Sequence, residues 1–220
     1  MLDASETLIE AAGETTAPAV AATKLKGIAI CGSHPETKSQ APFSDRGWLI
    51  YACSPDNTPH GLNQEHCSVL PRADVWFEIH VPVFDRTRPY AYLDWLKNVP
   101  RVYMRDQVAM SMQIDGQSLF PTAVRYPEKA MKERFGTFTF TSSIAFIMAK
   151  AIVDIEQLVA DGLMVEQPQI GLWGILQRSK QEYEQQRQGT QNMIFQATKS
   201  GIKVLASVKS GLFEPPPETF

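Results

Sequence analysis

Six short runs of branched, aromatic and small residues punctuate this chain, and most of them stop abruptly at a glycine or a polar turn. They are Lys26–Cys31, Trp48–Cys53, Val75–Ile79, Arg101–Arg105, Ile170–Trp173 and Lys203–Ser207. Strands buried on both faces read this way, and parallel sheets are where such strands occur. Helix-forming stretches lie between several of the runs. Pro89 can open a helix at Tyr90–Lys97 and Pro127 another at Glu128–Phe135, because proline suits the first turn. Ile144, Ile147, Met148, Ala151, Ile152, Ile155, Leu158 and Val159 recur at helical spacing and predict a long core-facing helix ending near Gly162. Ser179-Lys180-Gln181-Glu182 has the form of a capping box, opening a polar helix that runs to about Lys199 and stops at Gly201. The alternation predicts an α/β fold of three layers, a mostly parallel sheet of about six strands with helices on its faces. In such sheets a ligand sits beyond the carboxyl ends of the strands, where strand order reverses. The residues that follow each strand are therefore the ones to inspect.

The composition sets few other limits. At 220 residues the chain suits one domain with a full core, assigned to 24–213. Residues 1–23, rich in Ala, Thr and Glu, read as a flexible arm, and 214–220 as a proline-rich tail. The net charge of -3 and the lack of a long basic run give no sign of a nucleic-acid tracker. No segment approaches the ~20 apolar residues that span a bilayer, and the start lacks the pattern of a signal peptide. Cys31 and Cys53 sit in apolar runs and read as buried thiols of a reducing compartment, so the expected location is cytoplasmic. Homo-oligomerisation is left open.

Five places at strand or helix ends carry chemistry. After the first run, Gly32 allows close backbone approach, and Ser33 and Thr37 can donate to phosphate oxygens. One glycine stands where a dinucleotide fingerprint has three, so that motif is absent. Asn57, in Ser54-Pro55-Asp56-Asn57, suits a ribose or base contact and equally a routine turn. Glu78 and His80 are two apart, so on a strand they share a face, either as an acid–base pair or as a mutually satisfied polar pair. Thr141-Ser142-Ser143 opens the long helix and combines hydroxyls with free helix N–H groups, an anion site, although one such residue is already the usual cap. Tyr183, Gln186 and Arg187 are neighbours on one helix face and can offer a ring, an amide and a guanidinium to one ligand; a solvated polar face is the alternative. Elsewhere, His60, His66 and Cys67 match no common zinc spacing, and neither a P-loop nor a nucleophile elbow occurs.

Taken in order, Gly32-Ser33-His34-Pro35, Ala41-Pro42-Phe43, Trp48-Leu49-Ile50-Tyr51, Trp76-Phe77-Glu78-Ile79-His80, Thr141-Ser142-Ser143-Ile144-Ala145, Gly171-Leu172-Trp173-Gly174 and Glu182-Tyr183 with Gln186-Arg187 resemble a set of small phage-type Rossmann-like proteins over about residues 27–213. More remotely the layout is similar to the superfamily of hydroxymethylpterin pyrophosphokinase-like proteins and the sialyltransferases of glycosyltransferase family 42. That resemblance implies a nucleotide pocket lined by Gly32, Ser33, Asn57, Thr141, Ser142 and Ser143, with a nucleotide or nucleotide-sugar as ligand. Apart from the resemblance, the chain's carboxylates could recruit Mg²⁺ through the ligand's phosphates, with no all-protein cage for it. Two departures stand out. Leu176 occupies the place where the related pattern carries a carboxylate, and the last histidine is His80, whereas the sialyltransferases use a late one. The resulting expectation is a nucleotide-dependent transferase, with His80 as base oriented by Glu78 and Arg187 offsetting charge on the leaving group. The alternatives are a protein that sequesters a nucleotide without chemistry and an assembly protein that keeps the fold alone.

Overall fold

The computed structural model describes residues 23–53, 70–81, 95–177 and 182–213. Its frame is a seven-stranded sheet in the order β7-β4-β3-β2-β1-β8-β9. The strands are β1 (Leu25–Cys31), β2 (Trp48–Ala52), β3 (Val75–Glu78), β4 (Val102–Met104), β7 (Ala123–Arg125), β8 (Met164–Trp173) and β9 (Lys203–Ala206), and every adjacent pair is parallel. From β1 the chain steps outward through β2, β3 and β4 to β7. It then returns to the other side of β1 to lay down β8 and β9. Strand order therefore reverses between β1 and β8, and all seven carboxyl ends face one rim.

The apolar runs are explained by burial on both sides. In β1, Ile28, Ala29, Ile30 and Cys31 are fully buried, with Ile28 and Ile30 in one core and Ala29 and Cys31 in the other. The first core is closed by α3 (Glu128–Phe135), α4 (Ser143–Ala160) and α5 (Glu182–Lys199). The second is closed by Leu96, Val99 and α2 (Gln107–Ser111) through Ala109; α1 is the single turn Pro35–Lys38. On α4 the expected stripe is buried at Ile144, Ile147, Met148, Ala151, Ile152 and Ile155, and each large apolar side chain contributes roughly 1.5–3 kcal/mol. Gly162 at φ 70 and Gly201 at φ 78 end α4 and α5 where the sequence placed the stops. Among the described residues no helix is long and apolar enough to cross a membrane.

The sequence reading is corrected in three places. The sheet has seven strands where about six were expected; the unread one, β7, is a three-residue edge strand whose Val124 and Arg125 are exposed and leave no apolar run. β8 begins at Met164 rather than Ile170. Its first half carries Glu166 and Pro168, and the register with β1 shifts between Leu25 and Gly27. A hairpin of β5 (Gln113–Ile114) and β6 (Gln117–Ser118) was not foreseen; it turns through Asp115 and Gly116, both at positive φ, as Asp-Gly favours. The arm at 1–22, the tail at 214–220, the Ser179 cap and most of the Tyr90–Lys97 helix lie outside the described residues.

Polar groups inside these cores make stability sensitive to alkali. The Tyr51 hydroxyl donates to Asp154 at 2.7 Å, and burial, then the Asp154 charge, raises its pKa well above 10.0. Tyr126 donates to the Phe146 carbonyl at 2.7 Å and is also raised, by burial first and Glu128 next. Burial, aided by Cys53 and opposed by Lys38, pushes the Cys31 thiol up to about 12. Each group stays protonated in the fold while the unfolded chain ionises, so the contribution is intact below the unfolded value and is lost above it. Unfolding free energy should fall above pH 9 through Cys31 and more steeply above pH 10, by about 1.4 kcal/mol per pH unit for each group. Urea titrations from pH 8 to 11 test this, and Tyr51→Phe should flatten the upper part of the slope.

Candidate functional site

At the carboxyl end of β3, Glu78 is buried to 1% exposure while the His80 ring two residues on is 53% exposed. A carboxylate buried this deeply needs donors. It accepts from the His80 main-chain N–H at 3.2 Å and lies 2.9 Å from His80 Nδ1. With Nδ1 carrying a proton toward the carboxylate, the neutral ring keeps Nε2 as its acceptor, the arrangement a general base requires. His80 lies just beyond β3, so the pairing is made across the strand end and not along a strand face.

Beside this pair stands a cluster the sequence did not single out. Arg105, one residue past β4, grips Glu128 with Nε to Oε2 at 2.8 Å and Nη2 to Oε1 at 3.0 Å. Its Nη1 donates to the Ile79 carbonyl at 3.3 Å, and its main-chain N–H reaches the Glu78 carbonyl at 3.4 Å. The guanidinium lies over the Phe146 ring, 4.7 Å from the centroid. Lys132, one turn along α3, also pairs with Glu128. Burial pushes the Glu128 carboxyl upward, but the hydrogen bonds from Arg105 and Lys132 outweigh it and hold the group below its ordinary value. The signal available in the sequence was a cation directly after an apolar run.

Thr141, Ser142 and Ser143 stand at the start of α4 on the same rim. Ser142 Oγ caps the helix by accepting from the Ala145 N–H at 3.1 Å, and it lies 3.1 Å from Thr190 Oγ1 on α5. Thr190 is fully buried and donates to the Gln186 carbonyl at 3.1 Å, so Ser142 is the donor in the pair with Thr190. The Ser142 hydroxyl is thus engaged within the fold, whereas Thr141 is exposed and Ser143 half-buried. Gly189 lets α5 close on this turn: a Cβ there would come within 2.3 Å of the Thr139 carbonyl oxygen. The exposed Asn192 on α5 donates to Thr139 Oγ1 at 2.8 Å. Gln186 is half-buried and Arg187 buried one turn before Thr190; Tyr183 is in α5, with its side chain outside the described atoms.

Between β1 and β8, where the strand order reverses, the two loops are joined backbone to backbone. The Gly32 N–H donates to the Trp173 carbonyl at 2.9 Å, and the His34 N–H to the Gly174 carbonyl at 2.8 Å. The Gly174 N–H in turn donates to Thr37 Oγ1 at 2.8 Å. Gly32 and Thr37 are therefore both engaged with the loop after β8, and Ser33 is half-buried beside them. Compared with family models, with curated proteins and with solved structures, the chain matches none of them.

The rim thus carries three groups: Glu78–His80 with Arg105, the α4–α5 junction around Ser142, and the Gly32–Gly174 junction. Arg105 ties the first to the second through Phe146 in the opening turn of α4. Gly32 lies two strand spacings, about 10 Å, from the end of β3. Arg187 is buried on α5, and Asn57, His60, His66 and Cys67 lie outside the described residues. Among the described residues no three His, Cys, Asp or Glu side chains gather as a metal site. An open hollow of about 450 Å³ lies elsewhere, lined by Lys97, Ile114, Asp115, Gln117, Ser118 and Leu119. Lys97 precedes β4 and Leu119 precedes β7, which puts that hollow at the amino ends of the strands, away from the rim.

Proposed function

We propose that this chain binds a nucleotide along the carboxyl rim of its sheet and transfers a group from it to an acceptor. The observation that carries the reading is the half-exposed imidazole of His80 held at Nδ1 by a buried carboxylate at the end of a central parallel strand. In this reading Ser33, Thr141 and Ser143 contact phosphate, Asn57 the sugar or base, and Gln186 and Tyr183 the far end of the ligand. His80 Nε2 takes the proton of an acceptor hydroxyl, whose oxygen attacks the activated carbon or phosphorus of the donor. The bond to the bridging phosphate oxygen breaks, and the leaving group (the nucleotide in glycosyl or pyrophosphoryl transfer, pyrophosphate in nucleotidyl transfer) departs as an anion offset by Arg187, with any divalent cation arriving on the phosphates. The rate gain comes from positioning and charge neutralisation. The transferred group is of the glycosyl or the nucleotidyl/pyrophosphoryl class.

A thermal-shift panel of nucleotides, nucleotide-sugars and pterins tests binding. A ligand at 100 times its dissociation constant adds about 2.7 kcal/mol, which for a chain of this size raises Tm by roughly 5–10 °C. If no member of the panel moves Tm, the reading is wrong and an assembly role gains ground. A second reading, sequestration without chemistry, is favoured by Leu176 in place of a carboxylate and by the prior engagement of the Thr37 and Ser142 hydroxyls. Recovering the bound ligand unchanged after incubation with candidate acceptors would select it.

A further inference from the structure

We infer that Arg105 is the positioning residue for His80, holding the 78–80 turn so that the imidazole keeps its Nδ1 proton on Glu78. The inference rests on the reading of His80 as a base, and it concerns how that base is oriented. The turn itself is short: β3 ends at Glu78, and the ring stands two residues beyond the last ladder pair, Glu78 with Met104. Beyond that point Arg105 supplies the described cross-links. Its main-chain N–H takes the Glu78 carbonyl, and its Nη1 takes the Ile79 carbonyl between the two functional residues.

The guanidinium is in turn immobilised from two other elements. Glu128 on α3 accepts both Nε and Nη2, and Phe146 on α4 lies beneath the plane. A bidentate fork fixes direction as well as distance, which a lysine ammonium at the same place cannot do. Arg105 therefore joins β3, β4, α3 and α4 at one point, and the segment it clamps is the one that sets the angle between the Glu78 carboxylate and the His80 ring. Among the described residues, the titratable groups that face this corner include Glu78 and His80 from β3 and its turn, Arg105 from the end of β4, Tyr126 after β7, and Glu128 and Lys132 from α3.

Nitrogen chemical shifts of the histidines, read near pH 9 where imidazoles are neutral, test this without any assay of activity. His34 serves as an internal reference because its Nδ1 accepts from the Glu36 N–H, which places its own proton on Nε2. In the wild-type chain His80, assigned by the loss of its signals in His80→Gln, should carry its proton on Nδ1. In Arg105→Met the ratio of Nδ1–H to Nε2–H forms at His80 should fall about tenfold, the scale of one hydrogen bond to a charged group, with His34 unchanged. Arg105→Lys should restore little of it. If Arg105→Met does not fold, Glu128→Gln, which keeps the guanidinium but breaks the charged fork, should shift the ratio in the same direction. An unaltered His80 tautomer in the folded variant overturns the inference, and so does a change at His34 as large as that at His80. A wild-type chain that binds no nucleotide would remove the functional reading and leave the tautomer result standing.

Discussion

His80→Ala should lower turnover by about 10²–10⁴-fold, the usual contribution of a positioned general base, while nucleotide affinity changes little. The two effects separate because the imidazole acts on the acceptor proton, whereas phosphate and base contacts are made elsewhere on the rim. The alanine variant also strips a donor from a carboxylate that is almost wholly buried, at a cost of about 1–3 kcal/mol. His80→Asn is the control for that loss, since its amide can still donate to Glu78 but cannot accept a proton at neutral pH. Both variants should show that loss of turnover, and only the alanine should melt early. Turnover in the asparagine variant within a factor of three of the wild-type rate would exclude His80 as the base.

What the sequence made legible follows from range. Lys26–Cys31 and Ile144–Val159 were readable because burial on both sides of a strand, or along one stripe of a helix, leaves a pattern within one segment. Glu128–Phe135 was legible from Pro127 at its start, and the structure ends it at Gly136. The Glu78–His80 pair was visible because its partners are two residues apart. Arg105 went unread because what it touches lies 23 and 26 residues away in Glu128 and Ile79, and nothing local marks those partners. The same holds for Ser142: its role as a cap was legible, but its contact with Thr190 spans 48 residues. Gly32 shows the difference most sharply. The sequence flags a point of close backbone approach, but it does not show that the Gly174 carbonyl, 142 positions along the chain, is packed against it.

That close approach yields the largest expected loss of stability. Gly174 has φ 64, and a Cβ there would come within 2.6 Å of the Gly32 carbonyl oxygen. Gly174→Ala should therefore combine left-handed strain with a backbone collision and cost about 3 kcal/mol or more, a large part of the roughly 5–15 kcal/mol that holds a domain together. Gly162→Ala separates the two terms. Gly162 has φ 70 with nothing within 4 Å of the added carbon, so it should cost only about 1–2 kcal/mol. Gly32→Ala isolates the other term, because its Cβ would meet the Gly174 carbonyl oxygen at 2.4 Å with no positive φ involved. Urea unfolding of the three variants measures the contributions. Gly174→Ala should be the worst, and it should also weaken any ligand held by the loop after β1, because that loop hangs on the Gly174 amide and carbonyl through Thr37 and His34. Equal losses in Gly174→Ala and Gly162→Ala would mean that the two loops are not pressed together.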